Sequence, residues 1–274
     1  MSWERFAYFL DKTGSRWGLI AYVVLFFIYI FAPIVIVVGV SFTATSYVTF
    51  PPEGFSLQWF DRFFSYDAFT NSLIVSIEIA ILSAICGCLI GVPAALALVR
   101  SRIKAANMIT TFLLSPLSMP LIVTGFALLF FLSWMGLGVS FVSLLIAHTV
   151  VSLPYIVRTV AGVYRGVSPE YEESAAALGA TRWSVFVHVT LPMIKPGIFA
   201  GALFAMLISI DNLPISYFFS STSTNTLPVV MLAYLENQFD PAIAAASTVQ
   251  LILAVIGLLL VERITGLDAM TPAG

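Results

Sequence analysis

The chain has 274 residues, 60% of them apolar and 9% charged, with a formal net charge of −2. Soluble domains carry about 25% charged residues, so this composition excludes a soluble globular protein and marks an integral membrane protein. No nucleic-acid partner is expected of it, and membrane lipid is its expected surroundings.

Arg5, Lys12 and Arg16 precede the first apolar run, Leu19–Ser41. Its 23 uncharged residues exceed the about 7–15 of a secretory-signal core, and no small-x-small cleavage site follows, so it reads as a retained first span. The next stretch, Phe42–Thr70, carries Glu53, Asp61 and Asp67. Within it Trp59, Phe60, Phe63 and Phe64 read as an amphipathic helix of an interfacial aromatic belt. Leu73–Val99 is the second span, with Glu78 as its only charge. Cys86 and Cys88 lie inside it. A C-x-C pair on a helix directs its thiols about 200° apart, so they read as small packing residues.

Ala105 to Val157 contains no Asp, Glu, Lys or Arg. That length crosses twice, with Gly136-Leu137-Gly138 as the reversal. The third span falls near Ile109–Met135 and the fourth near Phe141–Val163, with kinks expected at Pro116, Pro120 and Pro154. His148, alone in the fourth, reads as a hydrogen-bonded packing residue. The fifth span is about Pro196–Phe219, a polar uncharged loop occupies Ser220–Asp240, and the sixth span is about Pro241–Val261. Cytoplasmic loops carry the excess of Lys and Arg. Six spans with both termini in the cytoplasm place every Lys and Arg except Arg62 on that side. The expected fold class is an all-α integral membrane protein of six transmembrane helices in one domain over residues 1–274.

Between Arg165 and Lys195 the chain turns polar. Ser168-Pro169 is a helix start, with Ser as N-cap and Pro at the first helical position. Glu170, Glu172 and Glu173 follow in the first turn, where the helix dipole favours anions. Ala175, Ala176, Ala177 and Leu178 are strong helix formers of small bulk. Gly179 suits a left-handed C′ position, Thr181 caps a second short helix from Arg182 to Val189, and Leu191-Pro192 ends it. The result is a helix–Gly–helix insert at the inner membrane face, with a small-residue face that lets another protein approach and a charged rim. A plain interfacial linker is the alternative.

This stretch resembles the EAA loop of bacterial ABC-importer permeases: E-A-A, three residues, G, nine residues, I-x-L-P. Glu173 takes the E position, Gly179 the G, Val189 the I and Leu191-Pro192 the L-P, with Ser174 in place of the first Ala. Phe55-Ser56-Leu57-Gln58-Trp59-Phe60, Asn71-Ser72, Ile210-Asp211-Asn212, Thr226-Leu227-Pro228 and Asp240-Pro241 also resemble permeases of polyamine-type importers. The resemblance implies the type I ABC-importer permease fold in the bacterial inner membrane. It implies two ATP-binding subunits that receive the coupling residues Glu172, Glu173, Ala175, Ala176, Gly179, Arg182, Leu191 and Pro192. A second, non-identical permease and a periplasmic solute-binding protein complete the expected assembly. ATP and Mg would be bound by the partner ATPases; this chain has no G-x-x-x-x-G-K-[ST] phosphate loop, and neither catalytic residue nor metal ligand is expected in it.

Charges inside a membrane cost about 2.5–3.5 kcal/mol at mid-helix. Glu78 and Asp211, both in the outer half by this topology, are therefore candidates to line the solute path, with Asn212, Tyr217 and Phe218 beside them. Pro214 would break the fifth helix there and expose backbone carbonyls to a cavity, and the aromatic rings suit a cation. The expected solute is a small organic cation such as putrescine or spermidine. Opines, phosphonates and ferric iron are alternatives within the family. A self-contained secondary transporter would show internal repeats, and none is evident. A membrane enzyme would cluster its His, Asp, Glu or Ser, whereas the two histidines stand forty residues apart.

Overall fold

The computed structural model describes residues 13–100 and 104–265. Arg5, Lys12 and Arg102, counted above among the cytoplasmic cations, lie outside the described residues. All regular structure among the described residues is helical. Five helices are long and apolar enough to cross a membrane: Arg16–Val40, Asp67–Arg100, Phe141–Arg165, Arg182–Ile210 and Ala242–Leu260.

The described chain divides into two compact units: the residues up to Ser65 with Gln238–Gln250, and Tyr66–Asn237 with the residues from Leu251 onward. The first holds α1 (Thr13–Val40) and α2 (Gln58–Ser65). Its aromatic helix differs from a simple membrane-facing belt. Trp59 is buried and its Nε1–H donates to the Thr43 carbonyl at 2.9 Å. Phe42 packs on the rings of Phe55 and Phe60 at 5.3 and 5.1 Å. A Trp N–H needs a partner when buried, and the turn after α1 supplies one. Phe64 keeps an outward position.

The second unit is built on α3 (Asp67–Arg100), α6 (Phe141–Arg165) and α9 (Leu191–Ile210). Small residues let these helices approach closely, as expected where lipid offers no hydrophobic drive for association. A Cβ on Gly201 of α9 would stand 3.0 Å from the Ile156 Cα of α6, and one on Gly87 of α3 would stand 2.6 Å from the Ile156 Cδ1. Ile156 is fully buried between these two glycines.

Three of the expected elements take a different form. The third span is not one rod. Ala106–Leu114 (α4) continues as a 3-10 turn, Ser115–Ser118, and then Leu121–Trp134 (α5) departs at 110°. Pro116 and Pro120 cause the break: each lacks an N–H, and Pro120 holds Met119 before it in an extended conformation, whereas Ser115 before Pro116 stays helical. The fifth span ends at Ile210. Asp211 and Asn212 interrupt it before a separate short helix, α10 (Leu213–Phe218). The segment 220–240 contains an eleven-residue helix, α11 (Leu227–Asn237), whose first N–H donates to Ser76 Oγ of α3 at 2.8 Å. α12 (Ala242–Thr265) is the last element among the described residues.

Candidate functional site

The polar insert forms where α6 stops. Ser168 adopts an extended conformation and its Oγ accepts the Glu170 N–H, starting α7 (Pro169–Ala177) with Pro169 at the entrance. Glu170 and Glu172 lie in the first turn of α7, where unbonded amides attract anions. α7 closes on Gly179 at φ +88°, with Ala180 N–H donating to the Ala175 carbonyl and Gly179 N–H to the Ala176 carbonyl. This bond pair is the Schellman closure that a glycine at C′ permits. Thr181 Oγ1 then accepts the Ser184 N–H and opens α8 (Arg182–Val185).

The expected stop at Leu191-Pro192 is not there. α8 runs through a π turn, Phe186–Thr190, directly into α9. The wider π turn takes up the residue that Pro192 displaces, since a proline ring clashes with the carbonyl four residues earlier.

Glu172 is the junction of the insert. Its Oε1 accepts from Tyr164 Oη of α6 at 2.8 Å and from Thr190 Oγ1 at 2.7 Å. Its Oε2 lies 3.4 Å from Arg100 Nε, the last residue of α3. The guanidinium also sits 4.5 Å over the Tyr164 ring and donates from Nη2 to the Val167 carbonyl at 2.9 Å. Arg100 at a helix C-terminus is also favoured by the dipole. One carboxylate thus fastens α7 to the C-terminal ends of α3 and α6 and to the root of α9.

Glu173, Ala176, Gly179 and Arg182 are exposed, Pro192 likewise, while Ala175 and Leu191 are half-buried. The tip carries two large apolar side chains, Leu178 at 91% exposed and Trp183 at 72%. Leu178, grouped above with the alanines as a helix former of small bulk, instead presents a large side chain outward, and no capping or spacing signal marks Trp183. An open hollow of about 260 Å³ beside them is lined by Glu172, Ala176, Arg182 and Phe186.

The candidate solute-path residues are not equivalent. Glu78 and Asp211 are exposed on this chain, and Tyr217 is 59% exposed. Asn212 is buried and its Oδ1 accepts the Ile215 N–H at 3.1 Å, so it caps α10. Phe218 packs edge-on against Phe126 of α5 at 5.9 Å. A Cβ on Gly125 would stand 2.8 Å from that Phe218 ring, so Gly125 makes room for it. Near α3 and the loop after α10 lies an open hollow of about 680 Å³, lined by Asn71, Ser72, Ser220, Thr222 and Asn225, with no charged side chain in its lining.

Deeper in this unit His148 is buried. Its Nδ1 lies 2.8 Å from Ser209 Oγ of α9 and its Nε2 3.1 Å from Ser216 Oγ of α10. Ser83 Oγ of α3 donates to Ser209 Oγ at 3.3 Å. The expected hydrogen-bonded packing role is the one observed. Cys86 and Cys88 stay free thiols, half-buried, and no group of three His, Cys, Asp or Glu suited to a metal occurs among the described residues.

Comparison with known proteins accords with this architecture. Residues 87–267 match the family described as binding-protein-dependent transport system inner membrane component. The putrescine transport system permease protein PotI of Escherichia coli is 30% identical over 256 residues, covering 91% of this chain and 90% of its own. The molybdenum transport system permease protein ModB of Mycobacterium bovis is 34% identical over 219 residues, 74% of this chain and 80% of its own. A chain of the bacterial alginate ABC transporter, solved in complex with its alginate pentasaccharide-bound periplasmic protein, superposes with a TM-score of 0.69 at 16% identity, over 94% of this chain and 97% of that one. This chain therefore belongs to the inner-membrane components of binding-protein-dependent transport systems: it is an all-α permease subunit of an ABC importer with the type I fold, residing in the inner membrane, and not an enzyme.

Proposed function

We propose that this permease pairs with a second, non-identical permease to form the path for a small organic cation such as putrescine or spermidine. A periplasmic binding protein delivers the solute. Two ATP-binding subunits, which hold ATP and Mg, drive the cycle through the α7–α8 insert. The observation that carries the coupling role is the build of that insert: its root is tied to three long helices through Glu172, while Leu178 and Trp183 stand outward. Exposed large apolar residues on a polar rim mark a protein contact. Glu173, Ala176, Gly179 and Arg182 border that tip and would face the ATPase groove, and Ala175, Leu191 and Pro192 shape it.

For the solute, the likeness to PotI supports a polyamine. Asp211 and Glu78 offer carboxylates to a cation, and Tyr217 an exposed ring. A second reading, a molybdenum-containing solute, is favoured by the likeness to ModB and by the hydroxyl- and amide-lined hollow that lacks a carboxylate. Uptake into vesicles carrying the complete importer separates them. Labelled putrescine entering in an ATP-dependent way, unaffected by excess molybdate, supports the first reading; molybdate uptake without putrescine uptake overturns it.

The coupling role has its own test. Gly179 has open space around its Cβ direction but a positive φ, so Gly179→Val strains the backbone by about 1–2 kcal/mol without a clash. Gly179→Val and Glu173→Lys should both abolish uptake while membrane insertion stays normal. Normal uptake in both variants rejects the docking role.

A further inference from the structure

We propose that His148 is a positioning residue that pins α10, and with it the exposed face of Asp211 and Tyr217, to α6 and α9 through a one-directional chain of hydrogen bonds in which the imidazole is the neutral Nε2–H tautomer. Its importance for transport rests on the reading of that face as part of the solute path; the structural proposal does not.

The direction of the chain follows from who can donate to whom. A serine in a helix ordinarily turns its hydroxyl to the carbonyl four residues back. For Ser209 that carbonyl is Ala205 O, which already accepts from Ser152 Oγ at 3.3 Å. Ser83 Oγ lies 3.2 Å from the Ala80 carbonyl and shares its one hydrogen between that carbonyl and Ser209 Oγ at 3.3 Å, while Ser209 keeps its own hydrogen for His148 Nδ1. The 2.8 Å at Nδ1 is the shorter separation typical of an O–H donor, and the 3.1 Å at Nε2 suits an N–H donor. Nε2–H therefore donates to Ser216 Oγ on α10. The order is Ser83, Ser209, His148, Ser216, running from α3 through α9 and α6 to α10. All four side chains are buried, and a buried imidazole with both nitrogens engaged leaves no donor or acceptor orphaned.

The mechanical consequence concerns a short element. α10 has six residues and follows directly on the interruption at Asp211-Asn212. A helix of that length has too few internal bonds to hold itself. It is held by the Asn212 cap at its start, by packing of Ile215 and Phe218, and by the bond that His148 Nε2–H donates to Ser216 Oγ. His148 is thus the polar tie between α10 and the long helices.

The chain contains two histidines, and the second is an internal control. His188 Nδ1 faces the Ser184 carbonyl at 3.0 Å, an acceptor only, so neutral His188 is the Nδ1–H tautomer. Nitrogen NMR of the ring-labelled permease in the assembled importer, at a pH well above the ordinary histidine value of about 6.5, should show two opposite tautomers, with the Nε2–H signal vanishing in His148→Ala. The second measurement needs no solute. Tyr217→Cys, in a background with Cys86 and Cys88 replaced by Ala, is labelled with a small maleimide in membranes. Losing a buried hydrogen bond of about 1–1.5 kcal/mol shifts the position of α10, so labelling should change about tenfold in His148→Ala and in the volume-conserving Ser216→Ala. The double variant should be no worse than His148→Ala alone. His148→Gln, which keeps an acceptor and a donor, should return most of the parental rate. An Nδ1–H or doubly protonated His148, or labelling unchanged in Ser216→Ala and His148→Ala, overturns the proposal. So does a Gln variant indistinguishable from Ala. If the tautomers and labelling behave as stated but Ser216→Ala leaves uptake intact, the tie stands and the solute-path reading of that face falls.

Discussion

Two four-way junctions hold the second unit, and they use opposite chemistry. At the C-terminal ends of α3 and α6, Glu172 joins α7, α3, α6 and the root of α9 with a full carboxylate against Arg100. In the interior, His148 joins α3, α6, α9 and α10 with hydroxyls and an imidazole only. An ion pair gains strength as water is removed, but removing two charges from water costs more than the pairing returns unless every partner is in place. Glu172 and Arg100 keep side-chain exposures of 21% and 29%, so the desolvation penalty is partial. At the fully buried position neutral partners suffice. Charge is used at the partly exposed junction, and neutral hydrogen bonds at the buried one.

Three variants probe that contrast, in falling order of effect. Leu178→Asp removes an exposed apolar tip and touches no internal contact. It should weaken capture of the ATP-binding subunits by about 30-fold, the scale of a docking hot spot near 2 kcal/mol, and leave the thermal midpoint of the isolated permease unchanged. A lowered midpoint with undiminished capture would mean that Leu178 packs internally. Glu172→Gln should do the reverse. Replacing a charged acceptor by a neutral amide removes about 1.5–2 kcal/mol from bonds to Tyr164, Thr190 and Arg100. The midpoint in detergent should fall and uptake per ATP hydrolysed should drop, while capture of the ATPase persists. If Glu172→Gln abolishes capture and spares stability, the carboxylate belongs to the docking face and not to the root. Asp211→Asn is the mildest. It keeps shape and removes charge at an exposed position, and should lower putrescine uptake about threefold through a raised KM, a loss of under 1 kcal/mol. An unchanged KM would remove Asp211 from the solute path.

Much of the insert was legible in sequence because capping is local. Ser168-Pro169, Gly179 and Thr181 sit within a few residues of the groups they satisfy, and each does what its type and position imply. Arg100, by contrast, meets Glu172 across the whole of α4, α5 and α6, and no spacing rule reaches that far. The resemblance placed the motif at Glu173, whereas the residue that binds the insert to the long helices is its neighbour Glu172. The 110° break in the expected third span was half visible: Pro116 and Pro120 were read as kinks, yet hydropathy alone drew a straight rod through them. α11 was hidden by the Ser- and Thr-rich run ahead of it. At eleven residues it is also too short to register as a span, which needs about 20. The π turn before Leu191 has no sequence signature beyond the proline, which was read as a stop.

α9 carries a contact of each junction: Thr190 at its foot meets Glu172, and Ser209 near its head meets His148. The 19 steps from residue 190 to residue 209 amount to about 28 Å at the helical rise of 1.5 Å, close to the roughly 30 Å of a bilayer's hydrocarbon layer. No loop intervenes, so a push on the foot reaches the head as a push. A single beam as long as the lipid layer is thick is fastened at either end to a different kind of rivet, so under the coupling proposed above a stroke on the Glu172 end would be felt, through one continuous piece of backbone, at the His148 end.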